Sequence, residues 1–265
     1  MLLVNLNFMV ETIFAGESGN NLFQYFLGFC ISHEKKYGIS FKTHNRGNTF
    51  KSQKEFFIFN GLKLPSHVKG TIINNNIMEF NDHRFDWEKS LNHNGKIKLF
   101  GFFQKYEYFK PYKTLIKETI LKYNNIFDYH DKPKENDLVL HFRDYKGVKN
   151  IPVSYYEKLI ENGSYDTIWL VSRYLNNDMK SLLKKYKNAK LKMGGSENDF
   201  LFICNANNIG VSQSTFSWWA SFISKSKYIF LPIGKDNSYL WHENPQKNRM
   251  NLFVDDENRY KKIIV

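Results

Sequence analysis

The chain has 265 residues, with 38 Lys and Arg against 26 Asp and Glu, for a net charge of +12. Divided at residue 130, it carries 17 basic and 11 acidic side chains before the boundary and 21 and 15 after it, so each half is +6. That even spread excludes a basic arm of the kind used on nucleic acid or as a polybasic membrane tail. A composition that is 42% apolar and 17% aromatic excludes disorder. What remains is a diffuse positive field, suited to a phosphorylated or polyanionic ligand or to a Lys-rich surface kept soluble by self-repulsion.

No apolar run approaches the roughly 18 residues of a membrane span. Met1–Val10 lacks a basic leader and a small-residue cleavage site, so it reads as a strand and not as a signal peptide. The two cysteines, Cys30 and Cys204, sit in apolar helical patterns and make no disulfide framework. A reducing, cytoplasmic setting is the expectation.

In chain order, Met9–Ala15 is a short apolar stretch that runs into the loop Gly16-Glu17-Ser18-Gly19-Asn20. An amphipathic helix follows, with Leu22, Phe23, Phe26, Leu27, Cys30 and Ile31 on one face and a stop at Tyr37-Gly38. Ile39–Lys42 reads as a strand. Residues 43–95 are polar and give little periodicity. Lys96–Phe100 is a strand, and Lys110–Tyr123 a helix with Pro111 in its first turn. Asp128–Asp137, charged and without periodicity, is the linker candidate.

The second half alternates more cleanly. Strands are expected at Leu138–Phe142, Thr167–Ser172, Lys190–Met193, Asn208–Val211 and Tyr228–Leu231, the last stopped by Pro232. Helices are expected at Ser154–Asn162, Asn176–Lys187, Asn198–Asn205 and Thr215–Ser224, with Ser154 and Glu157 forming a capping box. The acidic run Asp255–Glu257 reads as a solvated turn. Strands separated by helices predict parallel sheets covered on both faces. Ligands of such sheets sit at the carboxyl ends of the strands, beside helix N-termini.

Four places satisfy that rule. Gly16-x-x-Gly19 permits a tight turn close to a ligand but matches neither a Walker loop nor a dinucleotide fingerprint. His141-Phe142-Arg143-Asp144 sets a planar cation, fit to clamp a diphosphate, next to a carboxylate. Ser172-Arg173-Tyr174 carries little by itself. Ser212–Ala220 gathers the hydroxyls of Ser212, Ser214, Thr215 and Ser217 with Phe216, Trp218 and Trp219 where a helix begins, an arrangement that caps the helix or binds phosphate. No Cys/His metal spacing and no G-x-S-x-G motif occurs. Trp241-His242-Glu243 reads as a surface loop or an edge of an acceptor site.

Three segments together resemble one family. Gly16-x-x-Gly19-Asn20-x-Leu22-Phe23-Gln24-Tyr25 is similar to the opening motif of the bacterial-type α-1,2-fucosyltransferases, glycosyltransferase family 11. Gly101-Phe102-Phe103-Gln104, followed by Tyr108-Phe109, resembles a second motif, and Ser214-Thr215-Phe216-Ser217-Trp218-Trp219-Ala220 the most specific third. His141-x-Arg143 falls where that family has His-x-Arg-Arg-Gly-Asp. The order holds over about residues 10–235.

The resemblance implies a GT-B-like α/β fold: two Rossmann-like halves with parallel sheets and a cleft between them. Residues 1–130 would form the acceptor side and 131–265 the nucleotide-sugar side. It implies inverting, metal-independent transfer from a nucleotide sugar, GDP-fucose in the family, to a glycan hydroxyl, with no cofactor. By that carry-over Arg143 neutralises the donor diphosphate and His141 holds the nucleotide end. Ser172, Ser214, Thr215, Phe216 and Ser217 line the donor, and Gly16, Gly19, Asn20 and Gln24 face the cleft. Glu17 and Asp144 are the carboxylates available as catalytic base.

The chain also departs from the pattern. The family's second Arg after Arg143 is missing, with Lys146 a substitute, and Arg173 stands where the family places a carboxylate suited to the guanine edge; as a donor-binding residue Arg173 would instead contact a phosphate or a different base. A different nucleotide sugar, or a non-catalytic glycan- or nucleotide-binding relative, are the alternatives. Nucleic acid is not expected as a partner. The surplus lysines would suit contact with an anionic membrane face.

Overall fold

The computed structural model of the chain describes residues 9–43, 58, 62, 76–82, 84–143, 151–234 and 250–265. The chain divides into two compact units, Met1–Asn124 and Asn125–Val265.

The first unit holds a four-stranded sheet of β1 (Met9–Phe14), β2 (Gly38–Thr43), β3 (Ile77–Phe80) and β4 (Lys96–Phe100). Their order is β2-β1-β4-β3, and every pairing is parallel. Helix α1 (Ser18–Lys35) crosses from β1 to β2, and the six residues of its expected apolar face are all fully buried. It ends at Lys36, which takes the left-handed conformation with φ 54°. A short helix α2 (Trp87–Asn92) is capped by Asp86, and α3 (Lys113–Tyr123) follows a 3-10 turn at Lys110–Tyr112. The polar Glu11 of β1 is buried between Lys42 at 2.6 Å and Lys96 at 2.9 Å. Burial pushes its carboxyl up, but the two ammonium groups outweigh that and hold it below the usual range.

The second unit holds a six-stranded parallel sheet of β5 (Leu138–His141), β6 (Ile168–Val171), β7 (Ala189–Lys192), β8 (Asn208–Gly210), β9 (Tyr228–Ile233) and β10 (Tyr260–Ile264). The order is β10-β9-β8-β5-β6-β7. Its helices are α4 (Val153–Glu161), α5 (Asn177–Lys185), α6 (Ser196–Cys204) and α7 (Thr215–Ile223). All four β5 residues are buried, as a strand covered on both faces requires. Trp218 and Trp219 are fully buried, and Trp218 Nε1 donates to Leu252 O at 2.6 Å. Among the described residues no helix is long and apolar enough to cross a membrane.

Several local expectations are corrected. Gly19 and Asn20 are not loop residues: α1 starts at Ser18, and the amides of Asn20 and Asn21 already bond to Glu17 O. The Ser154–Glu157 capping box does not form, because the helix begins one residue earlier, at Val153, and Pro152 holds the N-cap position with φ −60° and ψ 145°. Pro232 does not stop β9; it pairs with Ile263 of β10, a strand that the sequence did not announce. The β8 ladder has ended at Gly210↔Phe230, so no bond to β8 is lost there, and the Tyr155 hydroxyl lies 3.1 Å from Val211 O and 2.7 Å from Phe230 O. The linker stretch ends in a buried residue: Asp137 Oδ2 accepts from Trp169 Nε1 at 2.8 Å and from Lys134 N at 2.9 Å. Of the apolar opening Met1–Val10, residues 1–8 lie outside the described residues.

Candidate functional site

In the second unit the chain runs from β5 outward to β6 and β7, then returns to the other side of β5 as β8 and continues to β9 and β10. The strand order therefore reverses between β5 and β8. Open parallel sheets leave a crevice at such a reversal, outside the carboxyl ends of the strands.

His141 is the last residue of β5, and Ser212 follows β8. They meet across the crevice: His141 Nδ1 lies 2.6 Å from Ser212 Oγ. Ser212 Oγ is 3.3 Å from Ser217 Oγ, which donates to Ser214 O at 3.3 Å. A carbonyl only accepts, so the chain has one direction. Ser217 gives its proton to Ser214 O, Ser212 gives its own to Ser217, and His141 Nδ1–H donates to Ser212. With its pKa pushed far below 7 the imidazole is neutral, and a proton on Nδ1 leaves Nε2 as an acceptor. Burial, and next the charge of Arg143, push the His141 pKa down to about 3. The Tyr156 hydroxyl donates to His141 O at 3.1 Å, and Tyr156 stacks on Phe142 at 3.9 Å, so the strand end is held from below.

Helix α7 starts at this crevice. Ser214 is its N-cap, accepting from Phe216 N at 3.3 Å. Thr215 is buried, Phe216 is half-buried with its ring 5.5 Å from that of His141, and Ser217 is fully buried. The four hydroxyls thus divide: Ser212 and Ser217 orient the histidine from inside, while Ser214 and Thr215 stand at the helix mouth. Arg143, two residues beyond His141, is half-buried. Asp144, Lys146 and Trp241–Glu243 lie outside the described residues.

Next along the same edge, Ser172 is buried and its Oγ accepts from Tyr174 N at 3.3 Å. Arg173 is exposed, its guanidinium 5.2 Å from the centre of the Tyr174 ring. The neighbouring strand β7 leads into Gly194-Gly195 and helix α6. Gly195 has φ +85°, a conformation that side chains disfavour. Asp199, on the first turns of α6, is only 6% exposed, and its Oδ1 accepts from Gly194 N at 2.7 Å. Its Oδ2 accepts no hydrogen bond among the described residues. Burial pushes the Asp199 pKa up to about 6, against the smaller opposing effects of the Gly194 amide and Lys192. Phe200, the next residue, packs edge-on against Phe216 at 5.2 Å, so α6 packs on the first turn of α7.

The first unit has a reversal of its own, between β1 and β4. Gly16 has φ +79°, and a β-carbon there would fall 2.4 Å from Asn20 Nδ2. Glu17 is exposed at the N-cap of α1 and makes no side-chain cap bond. Asn20 Oδ1 accepts from Gln104 Nε2 at 2.8 Å. Gln24 is fully buried: its Oε1 accepts from Ala15 N and Asn21 Nδ2, and its Nε2 donates to Gly101 O at 2.8 Å. The glycine motif and the Gly101–Gln104 motif are thus one cross-braced edge, and Gln24 is its brace.

No known protein-family profile matches the chain. It is 24% identical over 247 residues to an α-1,2-colitosyltransferase of Escherichia coli, covering 79% of this chain and 85% of that protein. Among solved structures it is similar to a mutant of Arabidopsis thaliana FUT1 in complex with GDP, with a TM-score of 0.51 at 11% identity, over 86% of this chain and 71% of the other. The chain is a glycosyltransferase, similar to these colitosyl- and fucosyltransferases. Its two parallel α/β units are the GT-B-like architecture.

Sequence reasoning missed two residues of this glycosyltransferase's candidate site. Ser212 stood in the hydroxyl cluster, but its pairing with His141 depends on β5 and β8 being neighbours. Asp199 lay in a helix that read as ordinary, and the only signal was the Gly194-Gly195 pair before it. Among the described residues no group of three His, Cys, Asp or Glu side chains converges.

Proposed function

We propose that the enzyme transfers fucose from GDP-fucose to a glycan hydroxyl in α-1,2 linkage, with inversion and without a metal. The observation that carries this reading is the His141–Ser212 bond across the strand-order reversal, at the mouth of α7 and beside Arg143. A helix N-terminus beside a guanidinium suits a diphosphate. Neutral His141 offers Nε2 to a hydroxyl or N–H of the nucleoside. The open oxygen of Asp199 accepts from the N–H groups of guanine, the task that Arg173 cannot perform.

In the reaction, the acceptor oxygen bonds to the anomeric carbon while the bond from that carbon to the diphosphate breaks. The hydroxyl proton passes to a carboxylate, for which we assign Glu17, and the leaving electron pair is stabilised by Arg143. Residues 1–130 form the acceptor side and 131–265 the donor side. Colitose in place of fucose is a second reading, favoured by the Escherichia coli relative.

Thermal shifts with GDP, UDP and CMP, together with hydrolysis of the corresponding nucleotide sugars, test the proposal. Selective stabilisation by GDP and release of fucose or colitose are expected. Stabilisation by UDP or CMP alone, or by no nucleotide, refutes it.

A further inference from the structure

Two consecutive phenylalanines after β4 face opposite ways. Phe103 is fully buried and adopts φ +53°, one of two non-glycine positive-φ residues among those described. A bulky residue in that region is strained and persists only where its surroundings over-determine it. They do so here. Phe103 N donates to Asp82 Oδ1 at 2.6 Å, Lys105 N bonds to Phe103 O at 2.9 Å, and Gln24 and Asn20 grip Gly101 and Gln104 on either side.

The consequence of the strain is the placement of Phe102. Its side chain is 39% exposed, and its ring has no aromatic neighbour among the described residues. It lies along the backbone of Gly16, where a β-carbon would come within 3.0 Å of Phe102 Cε1. The next residue is the exposed Glu17. A lone exposed phenylalanine is ordinary on a protein surface. One set on a bare glycine, at a strand-order reversal, by a strained and four-fold braced turn is a built feature.

We propose that Phe102 is the platform on which the pyranose ring of the acceptor stacks, with Glu17 accepting from its hydroxyls. A pyranose presents an apolar C–H face and a rim of hydroxyls. The negative face of an aromatic ring attracts the former, and a neighbouring carboxylate takes the latter. This rests on the glycosyl-transfer reading and extends it to a specific acceptor subsite in the first unit.

The test uses methyl hexopyranosides as probes, with GDP present. Saturation-transfer NMR should show ring protons of at least one pyranoside receiving magnetisation from the wild-type protein. Phe102→Ala should abolish that transfer and raise the acceptor KM about three- to tenfold, the factor an aromatic contact is worth. Phe102→Trp should retain both, and GDP affinity should stay within twofold in each variant. Unchanged KM and unchanged saturation transfer in Phe102→Ala, or no transfer to any pyranoside from the wild type, overturns the platform. A wild-type protein that binds no GDP instead overturns the glycosyl-transfer reading on which it rests.

Discussion

The Nδ1 of His141 sits 2.6 Å from the hydroxyl of Ser212, joining the ends of two strands, β5 and β8, that lie 71 residues apart in the chain. The bond fixes the ring of a buried, uncharged histidine at the place where the sheet opens. Ser212→Ala should leave that N–H without its partner and cost about 1–3 kcal/mol. Ser212→Thr should restore most of the loss. Urea denaturation gives the stabilities, and GDP titration should show the weaker nucleotide binding of the alanine variant.

Among the described residues, Arg143 is the cation that we propose beside the donor diphosphate. Arg143→Ala should lower kcat by about 10²–10³, as for loss of a charge-stabilising donor. Arg143→Lys should recover only part of it, because the planar fork is lost. Donor-hydrolysis kinetics without acceptor separate this effect from acceptor binding.

The two perturbed groups of the site pull stability in opposite directions with pH. His141 has its folded pKa lowered to about 3, so the unfolded chain binds the extra proton and stability rises with pH up to about 6.5. Asp199 has its folded pKa raised to about 6, so the folded chain holds the extra proton and stability falls as pH rises from about 4 to about 6. Between pH 4 and 6 the two effects offset each other. Asp199→Asn removes one of them. Relative to wild type, its stability should climb by about 1 kcal/mol per pH unit across that window. Parallel denaturation curves of the two proteins at pH 4, 5 and 6 provide the check, and equal slopes would contradict the assignment.

Gly16 combines φ +79° with a β-carbon position already filled by Asn20. Gly16→Ala should destabilise the first unit by more than about 1 kcal/mol, since both strain and overlap oppose it. Gly195 has a similar φ but open space beside it, so Gly195→Ala should cost only the backbone strain. Hydrogen exchange of the α1 amides should register the first substitution and not the second.

Trp218 ties α7 to the segment before β10 through Leu252 O. Trp218→Phe should leave that buried carbonyl unpaired and speed amide exchange at Tyr260–Ile264. The β5 amides should be unaffected.

Residue pattern alone determined much of this protein. Alternating apolar strands and amphipathic helices fixed the parallel α/β class, because each strand buried on both faces must be built of continuous apolar residues. The hydroxyl cluster from Ser212 to Ser217, followed by Trp218-Trp219, marked a helix mouth next to the core. Local pattern failed where a neighbour overruled it. Pro232 reads as a stop until β8 is seen to have ended beside it, and Ser154 reads as a cap until Pro152 is seen to take that place. What only the tertiary structure decided is which strand ends meet. The reversal between β5 and β8 pairs His141 with Ser212, the packing of Phe200 on Phe216 sets α6 against the first turn of α7, and the β1–β4 reversal lays Phe102 on Gly16. Each is a contact between residues distant in sequence. Strand order sets such contacts, and strand order follows from packing the whole sheet and not from any one segment.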